Sequence, residues 1–408
     1  MISLRADSSP WTSDIKDLQQ KNLYRMMPHV SGIPGRIIHI NGREALNFSS
    51  NNYLGLAGHP KIIEATIKSV CAFGAGSTAS RLIAGNTEIH RELEHFIAEW
   101  KGSEAAILFG SGYQANVGVI SGLMERDDLI VSDELNHASI IDGCRLAKSR
   151  VIVYPHFDLN RIEDALRLSG FRRKLVITES VFSMDGDKAP LQEIDSLCRK
   201  WGASLMVDEA HASGVFGLHG QGLASELGVH PEIQMGTLGK AAGTSGAYVA
   251  GSRSLIDLIV NRARSLIYTT AAPPATIGAA LEALKIVVSP EGDERRARLA
   301  RNSEVFNDLL YQDFSIDTPP SHIVPVMIGD SGQTMSVSTA CMDGGIFAHG
   351  IRFPTVPEGT ARLRFTLMSD HTRADLKKAV DILKAAIENS RSDPKFDISA
   401  RDHAQVST

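Results

Sequence analysis

Two short stretches of this 408-residue chain carry residue types that could do covalent chemistry. In Val207-Asp208-Glu209-Ala210-His211 a carboxylate closes a short apolar run, and a histidine follows three residues on. Lys240 stands 32 residues beyond Asp208, in Gly236-Thr237-Leu238-Gly239-Lys240, among small residues that leave room for a ligand beside its amine. A carboxylate that can keep a pyridine nitrogen protonated and a lysine that can condense with an aldehyde are the minimum equipment for pyridoxal phosphate (PLP) chemistry. Taken singly, Asp208 could be a helix N-cap and Lys240 a solvated charge. The pairing is what argues for a site.

Two glycine clusters bear on the phosphate. Gly74-Ala-Gly76-Ser-Thr-Ala79 and Gly110-Ser-Gly112-Tyr113-Gln-Ala115 both fit GxGxxG/A. The first follows no strand pattern. The second follows one and opens a helix, but Asp127 and Asp128 fall before the next apolar run rather than at its end, where a dinucleotide site needs its acidic ribose ligand. Backbone N–H groups at Gly112 and Tyr113, exposed at a helix start, suit a phosphate all the same.

These residues need a scaffold that brings them to one edge. Short apolar runs at 105–109, 129–131, 151–154, 174–178, 204–207 and 246–250 alternate with helical spacing at 113–124, 138–147, 158–168 and 191–201. Such alternation predicts a mostly parallel sheet covered by helices on both faces, with ligands at the carboxyl ends of its strands. Helical spacing also marks 59–73 and 86–100, the latter with Asn86 as its expected cap. Ahead of these lie an amphipathic stretch over 15–27 and a hairpin, Arg36–Ile40 and Glu44–Phe48, around Asn41-Gly42. Beyond residue 290 a long helix (294–310), a run at 323–328, a helix near 334–345, a run at 362–366 and a helix over 372–388 predict a smaller α+β unit. The expected division is an arm at 1–58, a large α/β domain at 59–290, a small C-terminal domain at 291–388 and a loose tail at 389–408.

Composition narrows the function class. A net charge of −5 with 43 % hydrophobic and 22 % charged residues is that of a soluble globular chain without the basic stripe of a nucleic-acid binder. No run approaches the roughly 20 apolar residues that cross a bilayer, and Arg5 has no apolar segment behind it, so neither a membrane span nor a secretory signal is expected. Cys71, Cys144, Cys198 and Cys341 lie far apart, which predicts reduced, buried thiols in a cytoplasmic protein with no metal site.

From about residue 20 to residue 388 the chain resembles the α-oxoamine synthases, a family of fold-type I PLP enzymes. The stretches that carry the resemblance are Asn47 to Leu56, Ser80 to Asn86, Asp133 to Ser139, Thr178 to Asp187, Val207 to His211, Gly236 to Lys240 and Tyr268-Thr-Thr-Ala271. The resemblance implies PLP as cofactor, with Lys240 linked to it and later moving a proton, and Asp208 facing the ring nitrogen. It further implies His137 stacked on the ring, His211 and Ser183 on the phenolate side, and Gly112, Tyr113 and Thr237 around the phosphate. Thr269 or Thr270 would reach the phosphate from the second subunit of a homodimer. Glu179 and Asn51 match polar active-site positions. Arg352, with Thr355 in the same segment, matches the position that takes the amino-acid carboxylate, and Arg25 another substrate-binding position. Phe353 departs from the pattern, which has two prolines after the arginine. The family condenses an amino acid with an acyl thioester of coenzyme A or acyl-carrier protein, releasing CO2 and thiol. Residues 350–367, together with Ser80 to Glu94, most resemble the family members that use L-alanine and a pimeloyl thioester, an early step of biotin synthesis. Glycine or serine with a shorter or longer acyl chain, or a PLP aminotransferase, are the alternatives.

Overall fold

The computed structural model describes residues 10–316 and 321–390. The described residues divide into two compact units: Ser50–Ser303 with Met368–Asp370, and 10–49 with 304–316, 321–367 and 371–390. The break expected at 290/291 falls instead inside the helix Pro290–Phe314, between Ser303 and Glu304. Nor do the described residues 10–58 form an arm of their own. The strands β1 (Val30–Ser31), β2 (Ile37–Ile40) and β3 (Arg43–Asn47) belong with the C-terminal unit, because Leu46 and Asn47 pair in parallel with Ile346 and Phe347. Asn41 and Gly42 both take positive φ (50° and 79°), the geometry that a two-residue hairpin turn demands.

The larger unit is built on seven strands: β4 (Ala105–Phe109), β5 (Leu129–Asp133), β6 (Arg150–Tyr154), β7 (Lys174–Glu179), β8 (Ser204–Asp208), β9 (Ile233–Thr237) and β10 (Ala247–Gly251), in the spatial order β4-β10-β9-β8-β7-β5-β6. Only β10 runs against its neighbours. Runs such as Leu-Ile-Val and Leu-Met-Val are buried on both faces, hence continuous rather than alternating in hydrophobicity. Parallel strands end together, so Asp133, Tyr154, Glu179, Asp208 and Thr237, the last residues of β5 to β9, line one sheet edge. The sequence pattern had not separated β9 as a strand of its own: its middle holds Gln234 and Gly236, which interrupt the apolar run.

The helices Pro60–Phe73, Glu88–Trp100, Gly112–Leu123, Ala138–Ala147, Leu159–Arg167 and Leu191–Trp201 lie where spacing placed them. Asn86 does not cap its helix. Thr87 takes the N-cap position with its hydroxyl on His90 Nδ1 at 2.7 Å rather than on a backbone N–H, and the Asn86 amide oxygen accepts from Arg81 at 2.7 and 3.0 Å. Three cysteines are buried, and burial pushes their thiols up to about 11 for Cys144 and about 12 for Cys198 and Cys341. Cys71 is exposed, on the outward face of its helix, and so departs from the expectation of burial.

The smaller unit contains β11 (Ile323–Gly329), β12 (Ile346–Phe347), β13 (His349–Ile351) and β14 (Ala361–Thr366), with β14 paired antiparallel to β11 and β13. Its core stacks Phe48 on His371 at 4.3 Å and sets Phe365 edge-on to Phe48 at 5.8 Å. Burial lowers His371 to about 4, so its ring packs there neutral. The helix Arg373–Ser390 runs two residues past its expected end; Arg5 and the tail beyond 390 lie outside the described residues. Among the described residues no helix is long and apolar enough to cross a membrane.

Candidate active site

Asp208 ends β8, and its carboxylate is almost fully buried, at 4 % exposure. It accepts hydrogen bonds from the Asn116 amide at 2.8 Å and the Ala210 backbone N–H at 2.9 Å. Both donors are neutral, and among the described residues it forms no ion pair. A buried carboxylate without a cation is costly unless a bound group supplies one. Asn116 lies one turn into the helix that starts at Gly112, so the same helix that orients Asp208 turns the N–H groups of Gly112 and Tyr113 toward this edge. A Cβ on Gly112 would come within 3.0 Å of Met235 Cε, which shows how closely this helix start packs against β9.

Lys240 occupies the loop that reverses the chain between β9 and β10. Leu238 N–H to Gly246 (2.9 Å), Thr244 N–H to Leu238 (3.0 Å) and Thr237 Oγ1 to Gly246 (3.0 Å) close this loop. Gly243, at φ 66°, presses it onto Ala57, where a Cβ would meet the Ala57 nitrogen at 2.4 Å. Lys240 Nζ lies 2.8 Å from His211 Nε2, and Tyr53 Oη lies 2.6 Å from His211 Nδ1 and donates to Asn51 Oδ1 at 3.1 Å. A continuous hydrogen-bonded chain therefore runs Lys240–His211–Tyr53–Asn51.

His137 caps the helix Ala138–Ala147: its Nδ1 accepts from Ser139 N–H at 3.2 Å and lies 2.8 Å from Ser139 Oγ. Its backbone N–H donates to Glu179 Oε1 at 2.6 Å. Burial, with Lys240 nearby, holds the ring below the usual histidine pKa against the pull of Asp208, which favours a neutral imidazole. Burial first, and then the charge of Asp208, push the Glu179 carboxyl well above the ordinary range. Ser183 is buried in the turn after β7, on the strand neighbouring β8.

The structure thus brings together Lys240, His211, Asp208, His137, Glu179, Asn51 and Ser183, with Gly112 and Thr237 on the same strand edge. Tyr113 starts its helix there too, but its phenol turns outward to Asp142. Thr269 and Thr270 are not drawn into the cluster: among the described residues their side chains make one hydrogen bond, from Thr269 Oγ1 to the Thr270 carbonyl at 3.5 Å. Two members were not singled out from sequence. Asn116 could have been found as the one amide in the otherwise small and apolar stretch Ala115–Gly118, and Tyr53 as a fully buried phenol that needs a partner.

In the smaller unit Arg352 is buried, at 6 % exposure, rather than a surface arginine. Its Nε donates to the Asn22 carbonyl and its Nη2 to the Tyr24 carbonyl, both at 2.8 Å, and Nη1 lies 3.1 Å from Met335 Sδ. Arg25 donates to the Phe353 carbonyl at 3.4 Å, and Thr355 N–H to the Arg352 carbonyl at 3.0 Å. Burial and the neighbouring Arg25 both lower Arg352; burial, Arg352 and Arg25 together lower His349. Among the described residues neither arginine pairs with a carboxylate, so this region concentrates positive charge without an acid to offset it.

The residues of the larger unit fit PLP. The uncompensated buried Asp208 suits a protonated pyridine nitrogen, the Gly112 helix start and Thr237 suit its phosphate, and Lys240 suits its aldehyde. Comparison with known proteins agrees. A family profile for aminotransferase class I and II matches residues 43–383. An 8-amino-7-oxononanoate synthase of Geobacter sulfurreducens is 47 % identical over 372 residues, covering 90 % of this chain and 95 % of that one. Among solved structures, a serine palmitoyltransferase with PLP as internal aldimine superposes with a TM-score of 0.88 at 29 % identity, covering 93 % of this chain and 97 % of that one. The 8-amino-7-oxononanoate synthase of Francisella tularensis superposes with a TM-score of 0.73 at 29 % identity, covering 85 % and 99 %. The chain belongs to the aminotransferase class I and II family, in its α-oxoamine synthase branch of fold-type I PLP enzymes.

Proposed function

We propose that this protein condenses L-alanine with a pimeloyl thioester to give 8-amino-7-oxononanoate, CO2 and free thiol, a step of biotin biosynthesis. The observation that carries the chemistry is the buried, cation-free Asp208 on the edge that also presents Lys240. Relatives named 8-amino-7-oxononanoate synthase, 46–47 % identical over nine-tenths of the chain, support the choice of substrates.

When bound, PLP supplies an electron sink conjugated to the substrate Cα. Asp208 holds the ring nitrogen protonated, and Asn116 and the Ala210 N–H keep its oxygens in place. Lys240, once the substrate amine has taken its position, removes the Cα proton as a neutral base. His211, fixed on its far side by Tyr53, steadies that amine at 2.8 Å. The neutral His137 ring offers a flat face to stack on, and Ser183 a hydroxyl beside it. The Cα electron pair then forms a bond to the thioester carbonyl carbon, the thiolate leaves, the carboxylate departs as CO2, and Lys240 returns a proton to Cα.

Arg352 takes the amino-acid carboxylate. Three of its donors are used on Asn22, Tyr24 and Met335, which leaves one N–H on each terminal nitrogen, the pair that a carboxylate accepts in two-point geometry. Thr355, tied to the Arg352 carbonyl, holds that segment, and Arg25 adds positive charge for an acidic acyl chain or its carrier. Coenzyme A or acyl-carrier protein serves as thiol carrier, which places the reaction in the cytoplasm.

We also propose a homodimer. Ile63, Ile67, Val70 and Phe73 stand exposed on the helix Pro60–Phe73, Ile83 is 81 % exposed, and Tyr268 is 72 % exposed. The loop bearing Ile83 is tied to the segment after Thr270 by Ala271 N–H to the Ala79 carbonyl (3.0 Å) and Ser77 Oγ to the Ala272 carbonyl (2.6 Å). So much apolar surface on adjoining segments fits a self-complementary contact. A partner's Thr269 or Thr270 would then complete the phosphate site.

The test is thiol release from purified protein given alanine, glycine or serine with pimeloyl-, acetyl-, succinyl- or palmitoyl-CoA. Alanine with pimeloyl-CoA is expected to exceed every other pair at least about tenfold in kcat/KM. A different preferred pair would replace the substrate assignment, and PLP-dependent transamination without thiol release would overturn the condensation.

A further inference from the structure

His156 lies just beyond β6, outside the cluster around Lys240. Both of its ring nitrogens face carboxylates: Nδ1 is 2.9 Å from Asp133 Oδ1, and Nε2 is 2.8 Å from Asp187 Oδ2. Among the described residues neither acid has another cationic partner. A neutral imidazole has one N–H and one lone pair, so only the imidazolium donates to both. Its ring stacks on Phe157 at 3.6 Å and meets Phe182 edge-on at 4.4 Å. Phe157 takes φ 62°, a left-handed conformation that a bulky side chain adopts only when its surroundings impose it.

The two acids belong to the turns that carry two cofactor-facing residues. Asp133 Oδ1 also accepts Leu135 N–H at 2.9 Å, and the Asp133 carbonyl accepts Asn136 N–H at 3.2 Å, which shapes the turn into His137. Asp187 closes the turn bearing Ser183, with Phe182 N–H to the Asp187 carbonyl at 3.0 Å and Gly186 N–H to the Phe182 carbonyl at 2.9 Å. We propose that His156 is a positioning residue, a single cation that staples the Asp133–His137 turn to the Phe182–Asp187 turn and so fixes His137 and Ser183 against one another. This rests on the PLP pocket proposed above and adds to it a residue that touches neither cofactor nor substrate.

The charged groups facing His156 are Asp133 from β5, Asp187 from the turn after β7, and Glu134, which accepts the His156 backbone N–H at 2.9 Å. All are acidic. Burial opposes the charge on the ring, but the hydrogen bonds and charges of Asp133 and Asp187 outweigh it and raise the histidine to about 9.

The experiment measures hydrogen exchange of the full-length chain at pH 7.5, with and without PLP, for wild type, His156→Gln and Asp187→Asn. In the PLP-free protein His156→Gln is expected to speed exchange about tenfold or more in both 134–137 and 182–187, and to leave the helix Leu159–Arg167 unchanged. Its PLP dissociation constant should rise by a similar factor. Asp187→Asn, which keeps an acceptor but removes a charge, should loosen 182–187 by a few-fold. Unchanged exchange in both turns, or acceleration confined to 155–160, overturns the staple. If His156→Gln fails to fold, Asp187→Asn decides, and wild-type exchange over 182–187 then refutes the proposal. Selective labelling should also show His156 doubly protonated at pH 7.5; a neutral ring is disproof. Failure of wild type to bind PLP would instead sink the pocket itself while leaving the exchange result standing.

Discussion

Asp208 and Glu209 are consecutive, acidic and buried, yet they reach into different surroundings. Glu209 meets Lys101 Nζ at 2.6 Å, and both side chains are almost wholly buried. It also accepts Ala224 N–H at 2.8 Å, and Gly222 approaches so closely that a Cβ there would lie 2.2 Å from the carboxylate. Burial works against the Lys101 charge, but Glu209 more than offsets it and the lysine is raised. Asp208 has the same burial and no such partner, only the neutral N–H groups of Asn116 and Ala210. A buried carboxylate that brings its own cation closes a structure. One held open by neutral donors is prepared for a cation from outside.

Substitutions on the two sides should therefore separate function from stability. The largest effect is expected from Lys240→Ala: kcat/KM falls at least about 10³-fold, borohydride reduction no longer tags residue 240 in the mass spectrum, and the urea midpoint scarcely moves. On the other side, Lys101→Met leaves Glu209 buried and unpaired and should cost about 3–5 kcal/mol in urea denaturation. Replacing both partners, Lys101→Met with Glu209→Leu, should recover most of that loss; if the double variant is no better than the single, the pair is not the reason. Asp208→Asn is expected to lower kcat about 10²-fold while leaving the stability of the PLP-free protein within about 1 kcal/mol of wild type. Equal losses of stability at 101 and 208 would erase the contrast.

The smallest effect concerns pH. His156 is raised from its ordinary value near 6.5 to about 9, so the folded protein binds the extra proton between these values. Its contribution to stability is complete below about 6.5 and is lost as pH rises through about 9. Urea midpoints of wild type and His156→Gln should differ most at acid to neutral pH and converge above about 9. A difference that grows with pH would contradict the assignment.

Much of the site could be read before the fold was known, because the chemistry demands particular residue types at strand ends. Lys240, Asp208, His211 and His137 sit in short local motifs, and six of the seven strands announce themselves as apolar runs. What escaped was long-range. Tyr53 looks like any core aromatic until His211, 158 residues away, is found at 2.6 Å. Asn116 looks like a helix interior residue until it meets Asp208 across the sheet edge. His156 has no motif at all, since its two acids come from other elements. Asn86 has the right type for a cap, but Arg81 offers its side chain a stronger, charged donor.

Residue order alone determined the alternation of strand and helix and the presence of a lysine and a carboxylate suited to one cofactor, since both depend on side-chain type and near neighbours. Tertiary structure alone decided which of two adjacent acids is neutralised, which histidine is kept charged, and that residues 10–49 group with 321–367 and 371–390. Those outcomes depend on burial and on partners distant in sequence. The energy of a charge is set by what surrounds it in space, and a one-dimensional pattern carries no measure of that.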